Sequence, residues 1–295
     1  MAVGLHDAIL GDNLTLKQIM NASFAENVQP IRGRVSGGID TSEIYAGEAD
    51  PRLQFTTEDV ATAVAVTTFC STGLAIATST ETITVPFKVR ADQGGFATGS
   101  NHYSLTSTEG GFAYPTQFQA SQGGNASVDI ELVLISDDGL KPFATNASAS
   151  IASAAFTAQY TIGPVTINGT AITEPLSITV NPGIQVEVRR FDGLNYPQVV
   201  NIISRDPSIT INFRDIADFH AFTGSVAGLS SFSAFFRKRD ATGFVAEATE
   251  EHVKFTFADG LLEAGNFSVS GQESGTPSIT VHGETLVGSA TNAIA

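Results

Sequence analysis

Tryptophan is missing from this 295-residue chain, and cysteine occurs once, as Cys70. A single thiol excludes an intrachain disulfide framework and any zinc site built on paired thiolates. Cys70 lies among apolar residues, where a buried, inert thiol is expected. Charge is also scarce: Asp, Glu, Lys and Arg together make up 15% of the residues, against roughly a quarter in ordinary proteins. Cations are scarcest, and carboxylates outnumber them in both halves, 16 to 7 in residues 1–150 and 14 to 8 in residues 151–295. A protein that grips nucleic acid needs clustered Lys and Arg to displace counterions from phosphates, so gripping is excluded. A smooth channel through which DNA slides is not. The longest uncharged run, Val60 to Thr80, is laced with Thr, Ser and Gly, and is too weakly hydrophobic to span a membrane. Met1 to Leu10 contains Asp7 and lacks the basic-then-apolar order of a signal peptide, so none is expected.

Catalytic constellations are missing as well. There is no G-x-S-x-G elbow, no H-E-x-x-H and no phosphate-cradling loop; the glycine pairs at 94–95 and 110–111 read as hairpin glycines. Five histidines, His6, His102, His220, His252 and His282, show no ligand spacing on any predicted helix. No catalytic, cofactor-binding or metal residue is therefore expected, and the chain reads as a non-enzyme.

What is present is a core-forming apolar fraction of 42%, rich in Phe, with Gly, Ser, Thr and Ala in place of charge. The chain also contains itself twice. Residues 50–61 (DPRLQFTTEDVA) and 206–217 (DPSITINFRDIA) share D-P-x-[LI]-x-[FI]-x-x-x-D-[VI]-A without a gap. Residues 102–110 (HYSLTSTEG) and 252–260 (HVKFTFADG) share H-[YV]-x-[LF]-T-x-x-[DE]-G. Looser matches flank them: FKVRADQGGF at 87–96 against FRKRDATGF at 236–244, and Phe118 and Ser121 against Phe267 and Ser270. Four blocks in one order indicate a tandem duplication, and two copies are too few for a solenoid.

Each Asp-Pro opens an extended segment, because proline fixes φ and disfavours helix just before itself. Thr56 with Asp59, and Asn212 with Asp215, have the spacing of a cap and an acidic third helical residue, so a helix is expected from each pair. Asp59 and Asp215 are read as helix-start carboxylates rather than catalytic acids. Val60, Val64 and Phe69 form one apolar stripe, Ile216 and Phe219 another, and the helices should end near Gly73 and Gly228. Elsewhere apolar and polar residues alternate, as in ETITVPFKVR at 81–90 and SITVNPGIQVEV at 177–188, which predicts strands. The expected fold is mainly β: two tandem β-sandwich domains, each with one flanking helix, at residues 29–148 and 149–295. Residues 1–28 read as an N-terminal arm, and the small-residue stretch Thr145 to Ala155 as a linker. The recurrence of His102 and His252 suits a hydrogen bond at a strand edge. Arg90 and Arg239 recur too, either as solvated surface residues or as contacts to an acidic neighbouring subunit.

The stretches VSGGIDT at 35–41, DPRLQFTTEDV at 50–60, FKVRADQGGFATGSNHY at 87–103, EGGFAYPTQFQASQGG at 109–124 and SDDG at 136–139 resemble siphophage tail tube proteins. The resemblance covers most of the first copy and, more weakly, the second, which lacks the G-G and D-D-G features. It implies a β-sandwich with a flanking helix whose inner strands line a lumen, and hairpins or arms that overlap the next ring. Related tubes are hexameric rings of one-domain subunits, so a two-copy chain would close a trimeric, pseudo-sixfold ring. Implied partners are further copies of the chain, the tape measure protein and the tail terminator or distal tail proteins, with DNA passing through unbound and no membrane. The implied location is the virion, after assembly in the host bacterial cytoplasm. A tail hub, terminator or capsid decoration protein is the structural alternative. A secreted carbohydrate-binding sandwich fits less well, because there is no Trp and no export signal.

Overall fold

The computed structural model describes every residue except 1, 2, 6, 12, 13, 37–39, 42, 67, 78, 79, 90–101, 152–156, 223–227, 241, 242, 258, 269–275 and 295. The expectations for His6, Arg90 and the glycine pair at 94–95 lie outside the described residues. The first half opens with β1 (Val3–Leu5), β2 (Ala8–Leu10), β3 (Leu14–Leu16) and β4 (Ile19–Ala25). A hairpin of β5 (Pro30–Gly33) and β6 (Glu43–Ala46) precedes β7 (Arg52–Thr57), α1 (Val60–Ala65) and α2 (Phe69–Thr72). Then come β8 (Leu74–Ile76), β9 (Ile83–Val89), β10 (His102–Ser107), β11 (Gly111–Ser121), β12 (Ser127–Leu134) and β13 (Ala144–Ala149).

The second half starts with β14 (Gln159–Ile167), β15 (Thr170–Ile172) and β16 (Pro175–Asn181). Its hairpin, β17 (Ile184–Arg189) and β18 (Val199–Arg205), precedes β19 (Ser208–Phe213) and α3 (Ile216–Phe222). It continues with β20 (Gly228–Leu229), β21 (Phe232–Asp240), β22 (Gly243–Phe244) and β23 (His252–Phe257). It closes with β24 (Gly260–Ser268), β25 (Thr276–Gly283) and β26 (Leu286–Asn292).

Among the described residues the fold is mainly β, in a sandwich arrangement. A six-stranded sheet orders β13-β10-β9-β2-β3 with β1 on β9, and a second orders β26-β23-β21-β14-β15 with β22 on β21. Both adjoin a ten-stranded sheet, β20-β24-β25-β19-β16-β11-β12-β7-β4 with β8 on β11. Leaving aside β1 and β22, which do not correspond, the two six-stranded sheets have the same strand order. So do the two parts of the long sheet, β8-β11-β12-β7-β4 and β20-β24-β25-β19-β16.

Fine details recur at the same places. Gln18 and Glu174 both take positive φ (51° and 49°), and so do Asn27 and Gly183 (48° and 65°). A bulge follows Ile19 in β4 and Pro175 in β16. The Glu58 amide donates to the Gln18 carbonyl as that of Arg214 does to Glu174, and Leu134 donates to Pro51 as Gly283 does to Pro207. Positive φ is tolerable for Asn but free of penalty only for Gly. At Gly183 a Cβ would also sit 2.1 Å from the Asp206 carbonyl oxygen, so no other residue fits there.

Two boundary expectations fail. Within residues 1–28, expected as an arm, β2 pairs with β9, β3 with β2 and β4 with β7, with Ala8, Leu10, Leu14 and Leu16 fully buried. The three-residue strands β2 and β3 are too short to register as an alternating pattern. Of residues 145–155, expected as a linker, 145–149 lie in β13 against β10, because a neighbouring edge supplies the hydrogen bonds, and 152–155 lie outside the described residues. The helices begin after Asp59 and Asp215, while Thr56 and Asn212 are strand residues in β7 and β19. Phe69 belongs to α2, separated from α1 by a break.

The halves share one core. Phe118 of β11 packs its ring 5.1 Å from Phe255 of β23, which in turn meets Phe236 of β21 at 5.1 Å. All three are fully buried and belong to one cluster that also holds Leu53, Ile83 and Ile130 of the first half. Phe118→Ala is therefore expected to lower stability by about 3–5 kcal/mol while leaving a single unfolding transition. Calorimetry or denaturant titration checks this; separate melting of the two halves would contradict the shared core.

Candidate assembly surfaces

The inner face of the long sheet is apolar, as strand alternation allows, and its outer face is polar except where Phe112, Tyr114 and Val133 lie. Across the outer face Ser127, Gln119, Thr179, Thr210, Thr280 and Glu263 line up through successive strand registers. Beside them run Ser121, Ser177, Asn212 and Ser278. Lateral hydrogen bonds tie the rungs: Gln119 to Ser127 (3.0 Å), Asn212 to Ser177 (2.8 Å), Thr210 with Thr280 (3.2 Å) and Thr56 to Asp129 (2.6 Å). Two shallow grooves follow this face, one at Gln54, Thr56 and Asp129, the other at Gln119, Ser127 and Thr179. Arg52 is held at one end by Asp50 (2.8 Å) and Glu131. The surface is thus lined mainly by hydroxyls and amides with a few carboxylates.

The sequence held a signal for this face that went unread. The pentapeptides SITVN (177–181), SITIN (208–212) and SITVH (278–282) are near copies. They form the adjacent strands β16, β19 and β25, with Thr179, Thr210 and Thr280 in register.

The two halves join edge to edge. Phe118 to Ser121 of β11 pair antiparallel with Val180 to Ser177 of β16. The corresponding edges further out are those of β24 at Phe267–Ser268 and of β4, and neither has a strand partner there among the described residues. The junction is also covered. Ile184, Val186, Val188, Val200 and Ile202 of the β17–β18 hairpin pack on Phe112, Tyr114 and Val133 of the first half. Its tip is fastened by the Ala49 amide to the Asn195 carbonyl (2.8 Å), Ser136 to Pro197 (2.7 Å) and Arg190 to the Ala49 carbonyl (2.6 Å). The matching β5–β6 hairpin projects uncovered, with Ile31, Ile44 and Tyr45 58%, 66% and 54% exposed.

The residues singled out in the sequence fall elsewhere. His102 and His252 are buried at the start of matching strands, each just before a bulge. The Nδ1 of His102 accepts from the Val89 amide and that of His252 from the Lys238 amide, both at 3.1 Å. An accepting Nδ1 carries no proton, so the His252 proton sits on Nε2 and is donated to the Ala246 carbonyl (3.1 Å). These rings hold strand edges together, as the recurrence implied. Asp59 is buried and accepts from the Lys17 amide at 3.1 Å; burial pushes its carboxyl above the usual range, outweighing hydrogen bonds from Thr62 and Lys17. Asp215 accepts from the Ala217 amide (2.8 Å) at the start of α3. Burial raises the Cys70 thiol to about 12, which makes it inert.

Arg239 reaches Asn125 of its own chain at 3.5 Å and lies over Phe244. Gly111 starts β11, where a Cβ would sit 2.8 Å from the Val133 carbonyl oxygen. His282 lies 3.0 Å from Glu263, and His220 lies in the last turn of α3. Glu109, Asp137 and Asp138 bring carboxylate oxygens within 4.8 Å of one another. Asp138 there closes a turn, accepting from Ser136 (2.9 Å) and the Leu140 amide (2.8 Å). Among the described residues the structure brings none of His102, His220, His252 and His282 to this cluster. No protein-family model matches the chain, and no curated protein matches it significantly.

Two outcomes test these assignments. His102→Phe or His252→Phe leaves buried backbone groups unpaired, and each should cost about 1–3 kcal/mol in denaturant melts. For Asp59 the raised folded pKa means that its contribution is fully present below the unfolded value, about 3.9, and is lost as pH rises through the folded value. Asp59→Asn should therefore gain on the natural protein as pH rises from about 4 to 7, measured as a growing difference in melting temperature. A difference that shrinks over that range would contradict a raised pKa.

Proposed function

We propose that the chain is a non-enzymatic structural subunit, built from two copies of one domain, which closes into a three-chain ring and stacks into a phage-type tail tube. The observation that carries this reading is the β11–β16 junction with its matching open edges. An unpaired edge on a long sheet is a liability that natural proteins cover or pair. The outer edge of β24 on one chain and β4 of the next repeat the β11–β16 pair, with Phe267 opposite Phe24 and Ser268 opposite Ser23. A head-to-tail contact of this kind generates a ring when its rotation closes. Six domains then require three chains, giving threefold symmetry and an approximate sixfold inner wall.

The hydroxyl- and amide-lined face suits that wall. It has too few cations to displace counterions from phosphates, so DNA would pass without being held. The resemblance to siphophage tail tube proteins, and with it the virion location, the tape measure protein and the tail terminator or distal tail proteins as partners, agrees with this arrangement.

Electron microscopy of the purified protein at high concentration tests the reading. Stacked rings of uniform height with threefold symmetry are expected. A ring of six full chains, or a monomer at every concentration, would sink it, and rings that never stack would favour a hub or terminator. Thr179→Lys with Thr210→Lys should leave assembly intact while slowing DNA release from particles.

A further inference from the structure

Within the chain, the β17–β18 hairpin lies on the outer face of the first half, where Phe112, Tyr114 and Val133 form its landing patch. The β5–β6 hairpin has the same internal register: Pro30 pairs Ala46 and Arg32 pairs Ile44, as Val186 pairs Ile202 and Val188 pairs Val200. Each of these positions differs by 156 in number, the spacing of the Asp-Pro blocks, so the residues that match the covering face are Val28, Pro30, Arg32, Ile44 and Ala46. The landing patch has counterparts too. Phe112 opposite Val133 corresponds to Leu261 opposite His282, and Tyr114 corresponds to Glu263. In the second half this patch is bare: Leu261 is 44% exposed, and His282 and Glu263 are exposed beside it. A hairpin without a patch and a patch without a hairpin stand at opposite ends of one chain.

We infer that the β5–β6 hairpin of one chain docks on the Leu261–Glu263–His282 patch of a second copy. This rests on the ring reading above and names the surface that seals each subunit contact. Charge is complementary at one contact, since the hairpin carries exposed Arg32 and Arg34 together with Asp40 and Glu43, whereas the patch is bordered by exposed Asp259, Glu263 and Glu284. Where the covered patch within the chain is apolar on both sides, this one pairs Val28, Pro30 and Ile44 with Leu261, and Arg32 with Glu263. The mixed chemistry suits a surface that stays in water until the next chain arrives. The groove formed by Gly228, Leu229, Asp259, Leu261 and His282 runs beside the landing site.

Paired cysteines test the contact. Ile44→Cys with Leu261→Cys in one chain, treated with a short bismaleimide, should give covalent two- and three-chain species on denaturing gels. Either single variant should stay at the one-chain size, because native Cys70 is buried and unreactive. Both positions are exposed, so the single variants should melt like the natural protein. Adding Arg32→Glu should lower the yield severalfold, and Glu263→Arg in the same chain should restore it. Closed rings by microscopy without cross-links between chains would overturn the docking while leaving the ring intact. Cross-links confined to single chains would overturn it as well. Monomers without rings or cross-links would overturn both.

Discussion

The pairing of β11 with β16 is the contact on which the rest of the molecule depends. Four residues of each strand exchange backbone hydrogen bonds there, and through them two sheets of the same order become one. An edge that exposes unpaired N–H and C=O groups must be hydrated, blunted or paired. Pairing also fixes side-chain direction, because a one-residue slip would turn every apolar side chain to the wrong face. With the register set, Phe118 is directed inward to Phe255 and Gln119 outward beside Thr179. The shared core, the continuous polar face and the placement of the covering hairpin all follow from that register.

What was legible in the sequence depended on how local its cause was. The Asp-Pro blocks were readable because proline acts on its own neighbours, and β7 and β19 begin where it predicts. The two histidines were readable as a pair because the same bulge and the same kind of amide donor recur with them. The N-terminal strands were not readable. Leu10, Leu14 and Leu16 are buried by β9 and the α1 region, which lie far away in the sequence, and their three-residue segments carry no period of their own. The strand part of the expected linker, 145–149, was not readable for the same reason, since nothing in its Ala, Thr, Asn and Ser composition specifies a strand until β10 supplies an edge. The SITVN, SITIN and SITVH segments were the missed opportunity. Matching alternation at three places marks three neighbouring strands, and only their registers reveal a single polar row.

The halves diverge where they meet different neighbours. Between β12 and β13 lie nine residues, 135–143, whereas 284–285 suffice between β25 and β26. The longer loop is where the β17–β18 tip is fastened, through Ser136 to Pro197. Gly139 belongs to it, with φ of 73° and a Cβ position only 2.3 Å from Leu194, so backbone and tip approach as no other residue would permit. The short loop offers no such anchor at the bare patch around Leu261. A contact formed there would depend on the hairpin's strands rather than its tip.

Charge sets the final constraint on how such a chain meets its own copies. At a formal −15 per chain, like-charged copies repel over the whole surface, and repulsion grows as they close on one another. A contact that brought carboxylates together would be opposed at every added subunit. The polar face avoids this by using Ser, Thr, Asn and Gln, which hydrogen-bond laterally without adding net charge. The β5–β6 hairpin holds two of the chain's 15 cations, Arg32 and Arg34, on its exposed surface, balanced by Asp40 and Glu43. Carboxylates border the patch it matches. In the ring proposed above, Arg32 of one chain would answer Glu263 of the next, and the open sheet edges matched in register would supply the rest of the attraction between chains.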